Sequence, residues 1–467
     1  MAALPPHVLM QRAGLAIARL TLALAPHART IWLACGPGNN GGDGLEAAMH
    51  LKRWGKNPVV TWLGTASSAP ADALAAYQHA TEAGVSFRDE PPVSFDLCVD
   101  ALLGIGASGS RPPGGRLALW VDVINAGKAP VLAVDLPTGL NAGTGYLTQP
   151  CVRAQFTLSL LTLKPGLYTA HGRDACGQIW LDTLGMASKT QTVAPTAWLA
   201  AKPAMQIRLH ASHKGSYGDV AVVGGAPGMT GAALLAALAA LHFGAGRVLV
   251  GLLDGGSMLV SQQQPELMFR PVETLNLKSV TVVCGCGGGD VVRHELPRLL
   301  SSAASMVIDA DAINSIANDS QLDLLLRARA VRSLQTVLTP HPLEAARLLG
   351  ISTAQAQRDR LASARQLADR FACTVVLKGS GSVIAAPGQT PVINPTGNAA
   401  LATAGTGDVL AGMVGARLAA GLPAFQAATE AVYWHGACAD GWPAHRKLTA
   451  GDLAQSLSRT VPTICSS

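Results

Sequence analysis

Short stretches rich in β-branched residues recur along this chain, and each ends at a glycine or a polar residue before a segment with helical periodicity. They lie at residues 30–35, 58–63, 95–99, 129–134, 156–161, 179–181, 220–223, 248–252, 279–284, 306–308, 336–338 and 374–377. Strands that alternate with helices in this way are typical of parallel sheets covered by helices. The pattern therefore predicts an α/β fold.

The length predicts more than one domain. At 467 residues the chain exceeds what a single hydrophobic core normally holds. Residues 187–203 carry Ser, Thr, Gln and Pro with little periodicity, which is typical of a linker. We therefore expect two α/β domains, at residues 1–195 and 205–467.

Composition argues against several classes of protein. Hydrophobic residues make up 49% of the chain and charged residues 14%, which suits large buried cores. The net charge of +6 is spread without lysine or arginine runs, and aromatic residues make up 4%, so no nucleic-acid partner is expected. Nine cysteines form no Cys-x-x-Cys pair, which favours a reducing cytoplasm. We expect neither a signal peptide nor a membrane span.

The segment Gly405-Thr406-Gly407-Asp408 combines an anion cradle with a carboxylate. Apolar residues at helical spacing follow it, so its glycines should lie at a helix N-terminus, where free N–H groups bind phosphate oxygens. Asp408 would be repelled by a bound phosphate, and it is better explained as a base that acts on a hydroxyl attacking that phosphate. The alternative is that Asp408 is only the helix N-cap.

A glycine-rich loop at residues 36–44 follows the first predicted strand, and a helix is expected from about residue 45. Strand, glycine loop and helix form a phosphate-binding arrangement in outline. The second strand ends without an acidic residue to hold a ribose, so an ordinary dehydrogenase is disfavoured. Asn39, Asn40 and Asp43 add more polar groups than a simple turn needs, although a structural turn remains the alternative.

Two aspartates, Asp100 and Asp135, follow predicted strands of the first half. Ligands bind at the carboxyl ends of strands in open α/β sheets, although a single aspartate there is often a helix cap. Together with Asn40 and Thr138, Asp100 offers hard oxygen ligands for a monovalent or divalent cation. Nothing in this half resembles a zinc site.

The predicted strands of the second half also end in polar or glycine loops, which indicates one shared cleft. Lys378 begins a Gly/Ser loop and is a candidate phosphate ligand. His341 precedes a helix, where a lone histidine is more often a cap or surface residue than a ligand. The glycine loop at residues 224–231 lacks the Gly-Lys-Ser/Thr ending of a nucleotide P-loop.

These motifs together resemble the family of bifunctional NAD(P)H-hydrate repair enzymes, over nearly the whole chain. The first half resembles the epimerase domain through Asn39-Asn40-Gly-Gly-Asp43-Gly, Asp100-Ala-Leu-Leu-Gly-Ile-Gly106 and Asp135-Leu-Pro-Thr138-Gly. The second half resembles the dehydratase domain through His213-Lys-Gly, Gly224-Gly-x-x-Gly, Asp309-Ala-Asp311, Thr339-Pro-His341-Pro-x-Glu344, Leu377-Lys-Gly-Ser and Gly405-Thr-Gly-Asp408. The implied folds are a Rossmann-like αβα sandwich and a ribokinase-like α/β domain.

The resemblance also implies roles for particular residues. Asp408 and Asp135 would be catalytic, and Asn40, Asp100 and Thr138 would hold K⁺. The hydrated nucleotide would contact, in the first half, Asn39, Asn40, Gly41, Gly42, Asp43, Gly104, Ile105, Gly106, Ala107, Ser108, Gly109, Ser110 and Asp135. In the second half it would contact Ala232, Gly287, His341 and Asp408. The adenine nucleotide would contact Lys378, Gly379, Ser380, Gly381, Ser382 and Gly407.

In the implied reaction, the first domain interconverts the C6 epimers of hydrated NADH and NADPH. The second domain dehydrates the S epimer with ADP as phosphoryl donor and Mg²⁺ as cofactor. A homo-oligomer is also expected. The chain departs from the family pattern at residues 284–288, which replace a loop usually containing proline, at Leu343, and at residues 399–401.

Two other functions remain open from the sequence. The second half could be a small-molecule kinase of the ribokinase type, for which Gly-x-Gly-Asp is equally suitable. The first half could be a non-catalytic nucleotide-binding module, with residues 39–44 forming a turn. A stable phosphorylated product would favour the first alternative, and a first half that fails to speed epimer exchange would favour the second.

Overall fold

The structure is a computed structural model that describes residues 5–107, 112–186, 194–204, 206–460 and 463–465. The chain divides into two compact units, Met1–Ala194 and Pro195–Ser467. Each unit is built on a largely parallel sheet with helices between the strands, so the predicted two-domain α/β fold is confirmed.

The first unit holds a seven-stranded parallel sheet in the order β3-β2-β1-β4-β5-β6-β7. Its strands are β1 Thr30–Cys35, β2 Asn57–Trp62, β3 Ser86–Arg88, β4 Leu97–Ala101, β5 Val131–Val134, β6 Phe156–Leu160 and β7 Gln178–Asp182. Its helices are α1 Val8–Leu24, α2 Asn39–Arg53, α3 Ala71–Glu82, α4 Gly115–Ala126 and the short α5 Gly172–Ala175. The strand order steps outward from β1 in both directions, as in Rossmann-like folds.

Side chains of strand β1 alternate between two hydrophobic cores, one on each face of the sheet. Ile31 and Leu33 belong to a core that also contains residues of α1 and α2, whereas Trp32 packs with Trp120 of α4 on the other face. Successive residues of a strand point to opposite faces, so a continuous apolar run buries both. The first unit is therefore an αβα sandwich, as predicted.

The second unit holds a ten-stranded sheet in the order β12-β11-β10-β13-β14-β15-β16-β17-β18-β8. Its strands are β8 Trp198–Leu199, β10 Asp219–Gly224, β11 Arg247–Leu252, β12 Met268–Phe269, β13 Thr281–Cys284, β14 Ser305–Ile308, β15 Gln335–Leu338, β16 Thr374–Leu377, β17 Val383–Ala385 and β18 Val392–Ile393, and β9 Gln206–Arg208 pairs separately with β19 Thr463–Cys465. The strands from β12 to β16 are parallel, and β17 runs antiparallel to both of its neighbours.

Ten helices surround this sheet within the part of the chain that the structure describes. They are α6 Thr230–His242, α7 Val292–Ser302, α8 Ala310–Ala317, α9 Ser320–Val331, α10 Pro342–Leu349, α11 Thr353–Arg358, α12 Arg360–Phe371, α13 Thr406–Ala419, α14 Ala424–Asp440 and α15 Ala450–Thr460. Helices α6 and α13 meet closely, because a Cβ added at Gly412 would lie 2.0 Å from the Ala236 carbonyl oxygen. Only glycine permits this approach.

Three sequence expectations about element boundaries need correction. Helix α2 begins at Asn39 and not near residue 45, so the asparagines lie in its first turn. Strand β4 continues through Asp100, which pairs with Ala34 of β1 and Ala133 of β5. The segment expected to be a linker, residues 187–203, lies outside the described residues up to 193 and then contains β8, which pairs with β18.

Candidate functional site

The first candidate site lies where the carboxyl ends of β1, β4 and β5 meet. These strands are neighbours in the sheet, so the segments that follow them come together. Gly36 donates its N–H to the Ala101 carbonyl at 3.0 Å, and a Cβ at Gly36 would lie 1.7 Å from the Leu102 carbonyl oxygen. The glycine therefore allows the backbone after β1 to pack directly on the backbone after β4.

Asp100 is fully buried and forms a compact hydrogen-bond cluster with Thr138. The Thr138 hydroxyl donates to Asp100 Oδ1 at 2.8 Å, and the Thr138 N–H donates to Oδ2 at 2.9 Å. The Leu103 N–H in turn donates to the Thr138 hydroxyl at 3.0 Å. Burial raises the pKa of Asp100 to about 6, although the hydrogen bonds from Thr138 oppose the shift.

Asn40 approaches the same cluster from the first turn of α2. A Cβ at Gly104 would lie 3.1 Å from Asn40 Oδ1, so the two residues are in contact. Asn40 Nδ2 is buried without a hydrogen-bond partner among the described residues. An amide can turn over by 180°, which would place its oxygen at this position. A buried carboxylate, a hydroxyl and an unsatisfied amide therefore lie close together, which fits a cation with oxygen ligands.

Asp135 and Lys164 form a largely buried ion pair beside this cluster. Asp135 has a φ of 69°, in the left-handed region that non-glycine residues seldom adopt. Lys164 Nζ contacts Asp135 Oδ1 and also donates to the Leu160 carbonyl at 2.8 Å. Burial lowers the pKa of Lys164, and Asp135 opposes that shift. Lys164 was not predicted as a site residue from the sequence, although it lies shortly after β6, the strand next to β5 in the sheet.

Asp43 extends the same group of side chains. Its pKa lies well above the usual range because the carboxyl group is buried, with further contributions from the charges of Asp135 and Asp72. A carboxyl group whose pKa is raised by burial holds a proton more readily than an exposed one. The first site therefore contains groups able to hold and move a proton.

The other residues predicted to line the first site take different positions. Gly41 and Gly42 lie in α2, where an added Cβ would meet Gly36 and Met10, so close packing explains these glycines. Residues Ile105–Ala107 form a 3₁₀ turn after Gly104. Ser108, Gly109 and Ser110 lie outside the described residues.

The second candidate site lies at the carboxyl edge of the second sheet. Strands β10, β13, β14, β15 and β16 are neighbours, and polar or glycine segments follow each of them. Helix α13 begins beside this edge with Gly405 as N-cap, at a φ of 90°. Asp408 lies within the first turn of α13, so the alternative that Asp408 is the N-cap is wrong.

Lys378, which follows β16, forms an ion pair with Asp309, which follows β14. Lys378 Nζ lies 2.6 Å from Asp309 Oδ1, which also accepts the Thr339 hydroxyl at 2.8 Å. Burial alone would lower the pKa of Lys378, but Asp309 and Glu344 raise it overall. A Cβ at Gly407 would lie 3.3 Å from Lys378 Nζ. The lysine therefore remains charged and lies directly beneath the N-terminus of α13.

Asp408 has the perturbed acidity expected of a general base. Burial raises its pKa to about 7, and the negative charge of Asp309 contributes in the same direction. Hydrogen bonding with the Cys286 thiol and the charge of Lys378 oppose the shift. A carboxyl group with this pKa is partly ionised at neutral pH and can accept a proton.

His341 acts as the N-cap of α10 in this structure. Its Nδ1 accepts the Leu343 N–H at 3.1 Å, and its Nε2 lies 3.2 Å from Glu344 Oε1. Burial and Lys378 lower the pKa of His341, whereas burial raises the pKa of Glu344 to about 7. The structure thus shows His341 as a helix cap, which was one of the two alternatives from the sequence. A substrate contact through its half-exposed ring stays a prediction.

The Gly/Ser loop after β16 is fixed from below by Arg360. This buried arginine donates to the carbonyls of Leu377 and Lys378, each at 3.1 Å. Gly379 has a φ of 131°, and Ser382 donates its hydroxyl to the Gly379 carbonyl at 3.2 Å. A rigid loop of small residues next to Lys378 suits an anionic ligand.

Ala232 and Gly287, both predicted substrate contacts, are neighbours. A Cβ at Gly287 would lie 2.9 Å from the Ala232 Cβ, and Gly287 has a φ of 58°. The first turn of α6 and the loop after β13 therefore touch on this side of the edge.

Comparisons with known proteins match both halves of the chain. A family model described as NAD(P)H-hydrate dehydratase matches residues 220–463, and one described as YjeF-related protein N-terminus matches residues 6–166. These matches define a two-domain α/β chain of the hydrate-repair class.

Individual relatives identify the family. A bifunctional NAD(P)H-hydrate repair enzyme of Escherichia coli is 35% identical, over 97% of this chain and 89% of the relative. An ADP-dependent (S)-NAD(P)H-hydrate dehydratase of Neisseria meningitidis is 42% identical, over 54% of this chain and 86% of its own length. The chain belongs to the family of bifunctional NAD(P)H-hydrate repair enzymes.

A solved structure also matches the chain. The ADP/ATP-dependent NAD(P)H-hydrate dehydratase of Bacillus subtilis, crystallised with ATP and Mg²⁺, is 30% identical, with a TM-score of 0.47, over 55% of this chain and 93% of that protein. Across the described ranges, every helix is too short or too polar to cross a membrane.

The Asp100 cluster predicts a specific effect of Thr138 on stability. Thr138→Val removes the hydroxyl between Asp100 and the Leu103 N–H, and loss of a buried hydrogen-bond partner costs about 1–3 kcal/mol. Thr138→Ser keeps the hydroxyl and should lose only about 1 kcal/mol for the missing methyl group. Denaturant unfolding of both variants measures the difference, and equal losses would contradict the role of the hydroxyl.

Proposed function

We propose that this chain repairs hydrated NADH and NADPH. The first domain exchanges the two C6 epimers of the hydrate, and the second removes water from the S epimer with phosphoryl transfer from ADP. The family membership and the ADP-dependent dehydratase activity of the Neisseria relative support this proposal. The observation that carries it is the Asp408 carboxyl group, whose pKa is near 7, in the first turn of α13 above Lys378.

The chemistry explains why a kinase-like cleft suits a dehydration. The C6 hydroxyl of the hydrate would have to leave as hydroxide, which is a poor leaving group at neutral pH. Phosphorylation converts it into a good one, and loss of phosphate then restores the reduced ring. Asp408 would take the hydroxyl proton as the oxygen attacks the phosphoryl group.

The nucleotide side of the cleft would be formed by Lys378 and the small residues around it. Lys378 supplies a fixed positive charge, and Gly407 allows phosphate oxygens to approach the free N–H groups of α13. Gly379, Ser380, Gly381 and Ser382 would contact the adenine nucleotide. Mg²⁺ keeps several waters and binds substrate phosphates, so the phosphates of the donor would hold most of it and neutralise their charge.

The epimerase site would use the proton-holding groups of the first domain. Asp135 has a left-handed backbone conformation and forms an ion pair with Lys164, and its charge contributes to the raised pKa of Asp43. We propose that Asp135 removes or delivers the proton in the ring chemistry that exchanges the epimers. Lys164 would fix the direction of the Asp135 carboxyl group through their ion pair.

K⁺ is proposed as the cation of the first domain, held by Asn40, Asp100 and Thr138. The fit rests on the buried Asp100 carboxylate, which forms no ion pair with any described residue, and on the unsatisfied Asn40 amide. A bound cation would offset the burial cost of Asp100 and fix the loops after β1, β4 and β5.

The predictions of a homo-oligomer and of a cytoplasmic location belong to the same proposal.

The kinase alternative differs in its product. A small-molecule kinase would release a stable phosphorylated compound, whereas the proposed reaction releases phosphate and NADH or NADPH. Incubation with hydrated NADH and ADP distinguishes them, because the proposed reaction restores the absorbance of the reduced nicotinamide.

Asp408→Asn should abolish dehydration while nucleotide binding persists, because the amide keeps the shape of the side chain but cannot accept a proton. Loss of a general base costs about 100- to 10,000-fold in rate. Since the base must be ionised, the rate of the native chain should fall as pH drops below about 7, the pKa of Asp408. The matched control is Asp452→Asn, which changes an aspartate in the first turn of α15. Near-normal turnover of Asp408→Asn would refute the assignment.

K⁺ should raise the unfolding temperature of the native chain more than an equal concentration of tetramethylammonium, which is too large for the site. A cation at about 100 times its Kd stabilises the folded state by about 2.7 kcal/mol. Asp100→Asn should lose this ion-specific effect, whereas Asp122→Asn, an exposed change in the same unit, should keep it. Identical responses of the native chain to the two salts would argue against the site.

Given both epimers and excess ADP, the full chain should consume nearly all of the hydrate. A phosphoryl-transfer cleft that aligns one C6 hydroxyl with its donor cannot align the other equally well. Asp135→Asn should therefore consume one epimer quickly and the other only at the uncatalysed exchange rate. Chromatography of the two epimers over time measures this. If Asp135→Asn clears both epimers like the native chain, Asp135 is not the epimerase acid or base.

A further inference from the structure

The loop after β13 places a thiol beside the two acidic groups of the second site. Cys286 is fully buried. Its Sγ, one carboxylate oxygen of Asp309 and one of Asp408 all lie within 4.8 Å of one another. The three groups come from different segments, after β13, after β14 and in α13. The tertiary fold therefore brings one sulfur and two oxygen ligands to a single point.

The position of Cys286 is fixed by its backbone. The Gly225 N–H donates to the Cys286 carbonyl at 3.0 Å, and the flanking Gly285 and Gly287 have φ values of 107° and 58°. A Cβ at Gly224 would lie 2.3 Å from the Cys286 carbonyl oxygen, so the loop packs directly on the end of β10. The thiol is therefore held in place by a close-packed loop.

Asp309 is oriented so that one of its oxygens remains available. Both hydrogen bonds that its carboxylate accepts from described residues, from Lys378 and Thr339, go to Oδ1. A Cβ at Gly407 would lie 4.0 Å from Oδ2, so Oδ2 is directed toward the first turn of α13, next to Asp408. Such outer partners fix a carboxylate that binds a metal through its other oxygen.

The charges of the group favour a divalent cation with affinity for sulfur. Two carboxylates, one thiolate and the Lys378 ammonium sum to two negative charges, which a divalent cation neutralises. Sulfur and carboxylate oxygen are both ligands of Zn²⁺, whereas Mg²⁺ prefers oxygen alone. A metal-bound thiol is deprotonated, so Zn²⁺ would displace the proton of the buried Cys286 thiol on binding.

We propose that Cys286, Asp309 and Asp408 form a binding site for one Zn²⁺ ion in the cleft of the second domain. Three protein ligands leave a fourth position for water, as in open zinc sites. The site depends on Cys286, which lies in a loop where the family usually has proline. If Asp408 is the base of the proposed reaction, bound Zn²⁺ inhibits dehydration by occupying its oxygen; this consequence alone rests on the proposed function.

Direct metal binding tests the site without reference to activity. Co²⁺ is a spectroscopic substitute for Zn²⁺, and the metal-free full chain should bind one equivalent with a thiolate-to-cobalt charge-transfer band in the near ultraviolet. Cys286→Ala and Cys286→Ser should lack that band. The matched control is Cys284→Ala, which removes a buried thiol two residues away and should keep it. A native chain without the band, or a Cys286→Ala variant that retains it, would overturn the proposal.

Competition with a chromophoric chelator gives the affinity for Zn²⁺. Loss of an outer-shell partner already weakens metal sites about 10- to 100-fold, so Cys286→Ala and Asp408→Asn should each weaken binding by at least this factor. Excess Mg²⁺ should not displace the Zn²⁺. Circular dichroism confirms that each variant is folded, so equal Zn²⁺ affinity of folded native and Cys286→Ala chains would refute the site.

Discussion

The close approach of helix α13 to its neighbours is the constraint on which the second site depends. A Cβ at Gly412 would lie 2.0 Å from the Ala236 carbonyl oxygen, and one at Gly415 would lie 2.4 Å from a methyl carbon of Val283. These glycines let a buried helix pack against α6 and β13 at once. The N-terminus of α13 is thereby directed at the carboxyl edge of the sheet, and Asp408 comes to lie beside charged groups from two other strand ends.

The same geometry leaves charged side chains largely buried at the second site. Lys378 and Asp309 form an ion pair across the ends of β16 and β14, and Asp309 helps to keep Lys378 charged in a poorly solvated place. Burial makes the largest contribution to the raised pKa of Asp408, and the negative charge of Asp309 adds to the shift. This ion pair thus places a cation where we propose that phosphate binds, and its carboxylate contributes to the raised pKa of the proposed base.

The sequence predicted the fold class and most strands, because parallel strands are apolar runs that end in glycine or polar loops. The apolar residues at helical spacing after Gly407 likewise predicted that Asp408 lies at the start of a helix. It did not predict that α2 begins at Asn39, since two glycines in a first turn look like a loop until their packing against Gly36 and Met10 is known. Lys164 and the thiol of Cys286 were missed as site groups because only tertiary structure brings them to Asp135 and Asp408.

Asp100 and Asp408 both have a pKa raised toward neutrality, but they differ in what their oxygens can still do. Asp100 is fully buried, and its oxygens already accept three hydrogen bonds, from Thr138 and the Leu102 N–H. A proton acceptor must be reached by its substrate, which this arrangement prevents, whereas a cation can share the remaining lone pairs. Asp408 is only partly buried and lies between a lysine and a thiol at an open helix end. The proposed structural cation in one unit and the proposed proton transfer in the other therefore differ in access to the carboxyl group, although the two groups have similar acidity.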